Sequence, residues 1–342
     1  MRKQGKNNIL NVAAVAGTSA MTVTRAFNNS GRIAPKTRDR ILKVAKELGY
    51  QPNFFARGMR GGRTKSVGML MSMGWPRPIN NKIRAITSKL YEAGYITYVA
   101  DSFSDANIIV NLLKEFLLRK IDALFFQAAF RNLTEDKRVK ELLAEIPSVL
   151  IESFWRLDTP HDQLILDRDM AMREIAQHFL GIGRRKTIIV AAEGEGTAET
   201  IELFRQVVRG GGEESKDNIF AGIDTTAVRS PQGEIYVDAL RRSFPDLKGF
   251  DSIWCATDEG AAAVVRHLTT NGVNVPRDVA VAGYHNSEIC FYSDPPLASV
   301  DIGDVKASEL EAWMLLDRIN NPDKPPMTEL VTMRFVRRAS AG

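Results

Sequence analysis

The stretch ILNVAAVAGTSAMTVTRAFN, residues 9–28, decides how the first part of the chain folds. Apolar residues recur every three or four positions on both sides of Gly17, which is the pattern of two short amphipathic helices. Asn8 can cap the first helix, and Thr18 or Ser19 the second, because a side-chain oxygen there accepts a hydrogen bond from an open backbone N–H. Glycine readily adopts the positive φ that commonly follows a helix end. The stretch therefore predicts two helices joined by a tight turn, a helix-turn-helix.

The second predicted helix has two different faces. Val23, Ala26 and Phe27 form an apolar stripe, which we expect to pack on Val12 and Val15 of the first helix. The opposite stripe consists of Met21, Thr24, Arg25 and Asn28. In the major groove of DNA this arginine would donate two hydrogen bonds to guanine, and the methionine would contact a thymine methyl group.

The basic residues are concentrated at the start of the chain. Residues 1–65 hold 14 lysines and arginines against two acidic residues, a net charge of +12, whereas the remainder carries 32 basic and 39 acidic residues. A third helix is predicted to begin at Pro35 and to stop at Gly49. Its outer face carries Lys36, Arg38, Arg40, Lys43 and Lys46. A compact basic segment on an acidic body is typical of a nucleic-acid-binding module, and the alternative is a small helical domain that merely has a basic surface.

From Ser66 onward, short strand patterns alternate with helical patterns in two successive series. Such alternation predicts two parallel-sheet α/β units, with a ligand cleft at the carboxyl ends of their strands. We find no GxSxG, HExxH or Walker motif and no metal-ligand pair, and the two cysteines are far apart. The body is therefore interpreted as a binding module that needs no cofactor. No membrane-spanning or signal segment is evident, so the cytoplasm is the expected compartment.

The run NVAAVAGTSAMTVTRAFN…TRDRILKVAKELGYQPNFFARGMR…TKSVGML resembles the N-terminal signature of the LacI/GalR family of bacterial transcription regulators. Its motifs VAxxAG, TVxRxxN, TRxRI and LGYxPN occur in the order and spacing of that family. The resemblance implies a small all-α helix-turn-helix headpiece at residues 1–52 and a hinge helix or linker at 53–65. Residues 66–342 would form an α/β periplasmic-binding-protein-like body of two parallel-sheet lobes, which binds an effector and dimerises.

The resemblance also implies which residues contact DNA. They are Asn8, Thr18, Ser19, Ala20, Met21, Thr24, Arg25, Asn28, Arg32, Asn53, Ala56 and Met59. Ala20, Met21 and Arg25 are the positions expected to read bases. Met59 would insert into the minor groove, where the family usually has leucine. The glycines at 58, 61 and 62 should make folding of this hinge more costly.

For the effector, the resemblance places six residues at the cleft. They are Ser72, Glu152, Thr200, Thr257, Asp258 and His285. Thr200 stands where the family usually has an effector-binding arginine, and His285 where it commonly has aspartate. Each of the six would otherwise be a helix cap or turn residue. The run DVAVAGYHNSEI is most similar to the gluconate-repressor branch and implies a sugar acid, free or phosphorylated, whereas the missing arginine argues against a carboxylate ligand.

Together these observations predict a homodimeric, sequence-specific transcription regulator, not an enzyme, that binds a pseudo-palindromic operator under the control of a sugar-like effector. Repression is the expected sign of action, and activation is the alternative. A dimer is favoured over a tetramer because no heptad repeat follows the last strand. The rival hypotheses are a small-molecule-binding protein, or a sugar-processing enzyme, that uses the α/β cleft without binding an operator.

Overall fold

The computed structural model describes residues 8–28, 33–50, 63–72, 79–128, 131–192, 195–210, 219–223 and 232–342. The chain divides into two compact units, residues 1–64 and 65–342. Within the described ranges, no helix is both long and apolar enough to cross a membrane.

The described part of the first unit contains three helices. They are α1 (Ile9–Val15), α2 (Ala20–Asn28) and α3 (Pro35–Glu47). The side chain of Asn8 accepts a hydrogen bond from the backbone N–H of Asn11 at 2.9 Å, and the Ser19 hydroxyl accepts one from that of Thr22 at 3.2 Å. Gly17 follows α1 with a φ of 59°. The two predicted helix starts and the turn between them are therefore confirmed.

The core of this unit is small and aliphatic. Its fully buried members include Val12, Val23, Ala26 and Ile41. The Phe27 ring packs edge-on against Tyr50, with 5.8 Å between centroids. Two expectations were wrong: Val15 is 62% exposed, and Arg38 turns inward to donate from Nε to the Ala26 carbonyl at 3.2 Å. A cation there satisfies a carbonyl in the last turn of α2 and complements the negative end of that helix.

The second unit consists of two lobes, each built on a parallel sheet. The first sheet contains β1 (Ser66–Met71), β2 (Ile96–Asp101), β3 (Ala123–Gln127), β4 (Ser148–Ser153), β5 (Asp162–Asp167) and β11 (Thr328–Thr332). The second contains β6 (Thr187–Ala192), β7 (Ile219–Ile223), β8 (Ser252–Cys255), β9 (Ala280–Tyr284), β10 (Ala298–Asp301) and β12 (Arg334–Val336). The strand orders are β11, β5, β4, β3, β1, β2 and β12, β10, β9, β8, β6, β7, and among these described strands only β12 runs antiparallel to its neighbour.

Helices connect the strands. Those of the first series are α4 (Ile79–Glu92), α5 (Ala106–Leu118), α6 (Arg131–Glu135) and α7 (Lys137–Leu143). Those of the second are α8 (Asp169–Gly181), α9 (Glu195–Gly210), α10 (Gln232–Ser243), α11 (Asp258–Thr270), α12 (Ile289–Tyr292) and α13 (Asp304–Asn320). The chain passes between the lobes after β5, after β10 and after β11, so the last segments complete both sheets. The sequence predicted the two parallel sheets but not this final exchange.

A buried ion pair holds the last exchange in place. Arg318 donates from Nε and Nη2 to the two carboxylate oxygens of Asp162, at 2.9 and 2.7 Å. Its remaining donors reach the carbonyls of Pro322, Lys324 and Pro325. Asp162 also accepts the backbone N–H of Met327 at 2.8 Å. One guanidinium thus orders the loop after α13 and positions β11 at the edge of the first sheet.

The neighbouring His161 predicts a pH dependence of stability. Burial lowers the pKa of its imidazole to about 4, with Arg318 acting in the same direction and Asp162 opposing it. An unfolded histidine binds a proton below about pH 6.5. Protonation therefore favours the unfolded state, and the free energy of unfolding should fall between pH 6.5 and 4 by at most about 1.4 kcal/mol per pH unit from this group. His161→Gln should flatten that slope in urea unfolding, and equal slopes would contradict the assignment.

Candidate DNA-binding face and effector cleft

Helix α2 presents an exposed face that extends from Met21 in its first turn to Arg25 in its last turn. Met21 is 59% exposed, and Arg25 is also exposed, so both side chains are accessible to a partner. The half-buried Thr24 donates its hydroxyl proton to the Ala20 carbonyl at 3.0 Å, which leaves its oxygen as an acceptor. The sequence predicted this face, and the structure places these side chains on one short helix.

The start of α2 also suits an anion. Ser19 is exposed, and its hydroxyl lies 2.9 Å from that of Thr22. The first turn of α2 holds no acidic residue, so nothing there neutralises the positive end of the helix dipole. Exposed cations of α3 include Lys36, Arg40, Lys43 and Lys46. A basic surface beside an exposed helix start fits a phosphate backbone that flanks a groove-reading helix.

The other predicted DNA contacts are placed differently. Asn8 uses its side-chain oxygen to cap α1, and the half-buried Thr18 donates its backbone N–H to the Ala13 carbonyl at 2.9 Å. Asn28 belongs to α2, but its side chain lies outside the described residues. Arg32, Asn53, Ala56 and Met59 lie outside them as well, as does most of the predicted hinge.

In the first lobe, Ser72 and Glu152 lie at the carboxyl ends of β1 and β4, on either side of β3. Gln127, the last residue of β3, joins them: its Oε1 accepts the backbone N–H of Ser72 at 2.7 Å, and its Nε2 donates to the Glu152 carboxylate. Ser104 donates its hydroxyl to that of Ser72 at 2.9 Å. The structure thus connects two predicted residues through a glutamine that sequence reasoning missed, although its place at a strand end was a usable signal.

Glu152 also belongs to a buried charge cluster. The Nζ of Lys82 on α4 lies 2.7 Å from the Glu311 carboxylate on α13 and 3.3 Å from that of Glu152. All three side chains are at most 5% exposed. Glu152 itself has a φ of 58°, the left-handed region that non-glycine residues rarely adopt. Its carboxylate is therefore held in position by the protein.

In the second lobe, the predicted residues take internal roles. Thr257 caps α11 by accepting the backbone N–H of Gly260 at 3.0 Å. The fully buried Asp258 accepts the backbone N–H of Ser287 at 2.7 Å and the hydroxyl of Ser299 at 2.5 Å. Burial raises the pKa of Asp258 above its ordinary range, and these hydrogen bonds oppose that rise. For Thr257 and Asp258, capping and turn-ordering account for the contacts observed.

His285 follows β9 with a φ of 106°. Its backbone N–H donates to the Val300 carbonyl at 2.9 Å, and its ring lies 4.7 Å from that of Tyr284 between centroids. His285 as a whole residue is 8% exposed. A strained backbone at a strand end is common where side chains are aimed at a ligand.

Thr200, the remaining predicted residue, is buried on α9, and its neighbour Glu199 pairs with Arg168. Arg168 directly follows β5, is 7% exposed, and places its guanidinium 5.0 Å from the Phe154 ring. Arg168 was not among the predicted residues, because the family resemblance points to the position of Thr200 for an effector-binding arginine. Its place at the carboxyl end of a strand was the available signal.

Two segments of the chain match known families. Residues 8–53 match the family described as "Bacterial regulatory proteins, lacI family". Residues 176–341 match the "Periplasmic binding protein-like domain". The chain belongs to the LacI family of bacterial transcriptional regulators.

Whole-chain comparisons agree with this assignment. The HTH-type transcriptional regulator DegA of Bacillus subtilis (strain 168) is 26% identical over 299 residues, which cover 86% of each protein. The crystal structure of the Lac repressor dimer bound to operator and the anti-inducer ONPF superposes with a TM-score of 0.79 at 18% identity, covering 98% of this chain and 99% of that one. The CelR–cellobiose complex gives 0.66 at 24% identity, covering 97% and 99%.

The predicted fold class of this LacI-family regulator, a helix-turn-helix headpiece with a two-lobed α/β body, is therefore confirmed. Its relatives are transcriptional regulators and not enzymes, so the enzyme alternative loses its support.

Proposed function

We propose that this LacI-family regulator reads its operator through α2, with Ala20, Met21 and Arg25 as the base-contacting residues. The observation that carries the proposal is the exposed face of Met21 and Arg25 beside the Ser19-capped helix start. An arginine in the major groove recognises guanine through two hydrogen bonds, and an apolar side chain contacts thymine. Ser19 and Thr24, at the edge of this face, would contact phosphates.

Replacing Arg25 tests this assignment. Arg25→Ala should weaken binding to the operator by about 1–3 kcal/mol and relax base preference at one position of each half-site. Base contacts carry the sequence information, so the loss should be larger on the operator than on unrelated duplex. The operator is first selected from a random duplex library with the full-length protein, and binding is then titrated at several salt concentrations.

Lys43→Ala is the matched control, because Lys43 is an exposed cation on α3 and not on α2. It should weaken binding to all duplexes alike and reduce the salt slope by about one. Unchanged discrimination by Arg25→Ala would contradict base reading by Arg25. Failure of the wild-type protein to enrich any duplex would favour the rival hypothesis of a binding protein without an operator.

A dimer on a pseudo-palindromic operator follows from the same proposal. Large aromatic side chains are exposed on the body: Tyr91 is 78% exposed, Phe291 63% and Tyr292 81%. Exposed aromatic residues are typical of protein interfaces. Two-fold symmetry requires half-sites about one helical turn apart, and the selected duplexes should show this spacing.

The hinge assignment stays a proposal based on residue chemistry. Residues 53–65 would connect a headpiece at 1–52 to a body at 66–342, and the boundary between the two compact units at residues 64 and 65 supports that division. Asn53 and Ala56 would approach DNA with the linker, and an apolar, adaptable Met59 suits insertion between base steps.

The effector is proposed to bind between the lobes of the body. Polar side chains at the carboxyl ends of both sheets support this site, namely Ser72, Glu152, Thr257, Asp258 and His285, with Thr200 on α9. A sugar or sugar acid is the proposed class, and the CelR structure was solved with cellobiose. The effector would change operator affinity by its different affinities for two states of the dimer. We propose that the protein represses transcription and that it acts in the cytoplasm.

A further inference from the structure

The strongest unassigned feature of the body is the Arg168 guanidinium. Arg168 follows the last residue of β5, where the chain first leaves the first lobe, and Glu199, its ionic partner, lies on α9 of the second lobe. The pair therefore joins the two lobes. Phe154, one residue beyond β4, lies under the guanidinium at 5.0 Å. An aromatic face and a cation at adjacent strand ends form a surface suited to a small polar ligand.

The two partners differ in how far their side chains are exposed to solvent. The Arg168 side chain is 9% exposed and the Glu199 side chain is 47% exposed. Among the described residues, none accepts a hydrogen bond from the Arg168 Nε, although that atom is buried. A buried guanidinium carries five donors and requires a counter-charge, whereas a half-exposed carboxylate can rotate into water at small cost.

We propose that Arg168 binds the anionic group of the effector, a carboxylate or a phosphate, and that Glu199 occupies the guanidinium when no effector is bound. The inference rests on the proposed effector site and narrows its ligand to an acid. A carboxylate or phosphate can accept hydrogen bonds from two guanidinium nitrogens at once, including the Nε that lacks an acceptor, and it also neutralises the positive charge. A neutral hydroxyl group does not neutralise that charge. The absence of an arginine at position 200 argued against a carboxylate ligand. Arg168 supplies a cation in its place, because it extends from the end of β5 to Glu199 on α9, the helix that contains Thr200.

The test compares acids with neutral counterparts on the full-length protein. The probes are D-gluconate, D-galacturonate and a hexose phosphate, against D-glucitol, D-galactose and D-glucose, with affinities from calorimetry. The acids should bind more tightly than their counterparts. Arg168→Gln should abolish this preference by weakening acid binding about ten- to a hundredfold. Glu199→Gln should act in the opposite direction and strengthen acid binding, because it removes the competing internal carboxylate. Comparing the affinities for gluconate and for the hexose phosphate shows whether the site prefers a carboxylate or a phosphate.

Arg173→Gln is the matched control, since Arg173 is an exposed arginine on α8 that also reaches α9, through Gln206 at 3.4 Å. It should leave the preference for acids unchanged. A purely structural ion pair predicts the same direction of change for Arg168→Gln and Glu199→Gln, and that result would overturn the proposal. So would equal binding of acids and neutral sugars, or binding of no acid at all.

The Glu199→Gln arm keeps the proposal testable if Arg168→Gln fails to fold. Operator binding without effector is measured on the same variants. Retained operator binding with release by neutral sugars would reject the anion inference and leave the proposed function standing. If the wild-type protein binds no operator, the proposed function is rejected instead.

Discussion

Arg318→Leu should lower the free energy of unfolding of the body by about 3–5 kcal/mol, because it leaves a buried carboxylate without its counter-charge. The Asp162 side chain is fully buried, and the Arg318 side chain is 9% exposed. The substitution also removes the donors for three loop carbonyls that follow α13. Urea unfolding of the full-length protein at neutral pH, followed by tryptophan fluorescence, measures the change.

Arg119→Leu is the control for that substitution. Arg119 pairs with Glu115 across one helical turn of α5, and both side chains are about half exposed. Exposed pairs of this kind contribute less than about 1 kcal/mol, so this variant should unfold close to the wild type. Arg318→Leu with a loss below about 1 kcal/mol would show that the loop is ordered by other contacts.

Lys82→Met should lower the free energy of unfolding by a similar amount, about 3–5 kcal/mol. It removes a cation that lies within salt-bridge distance of both Glu152 and Glu311, whose carboxylates are buried. The substitution should also weaken ligand binding at the proposed effector site, because the Glu152 carboxylate is positioned by this lysine and by Gln127. Chemical denaturation gives the stability change, and calorimetry gives the effect on ligand binding.

The control for Lys82→Met is Lys89→Met on the same helix. Lys89 is 49% exposed and lies 3.9 Å from Glu92, so its loss should change stability by less than about 0.5 kcal/mol. The double variant Lys82→Met with Glu311→Leu should recover part of the lost stability, because an ion pair replaced by apolar residues on both sides is often tolerated. If the double variant is as unstable as Lys82→Met, repulsion between the Glu152 and Glu311 carboxylates does not explain the loss.

The headpiece was predictable because its information is local. Asn8 and Ser19 cap helices through contacts three residues away, and Gly17 ends α1 by its own backbone conformation. Helical periodicity then separates Val23, which is buried, from Arg25, which is exposed. The errors concern residues whose burial depends on tertiary packing. The small core of three helices buries only some of the apolar residues, and Val15 remains exposed.

The proposed effector cleft and the edge of the first sheet were less predictable, because their contacts join distant parts of the chain. Lys82 and Glu311 are 229 residues apart, and Arg318 and Asp162 are 156 apart. The periodicity of the sequence does not predict that α13 returns to the first lobe or that β11 pairs with β5.

By itself the sequence determined the helix-turn-helix, its exposed Met21 and Arg25 face, the alternating strands and helices of the body, and the family. These properties depend on residue spacing and on side-chain chemistry within a few turns of chain. Only the tertiary structure decided that Glu152 is held by Lys82, that Thr257 and Asp258 make internal contacts, and that Arg168 pairs with Glu199, the residue before Thr200. A buried charge becomes stable only where its partner lies, and the fold, not the spacing, brings those partners together.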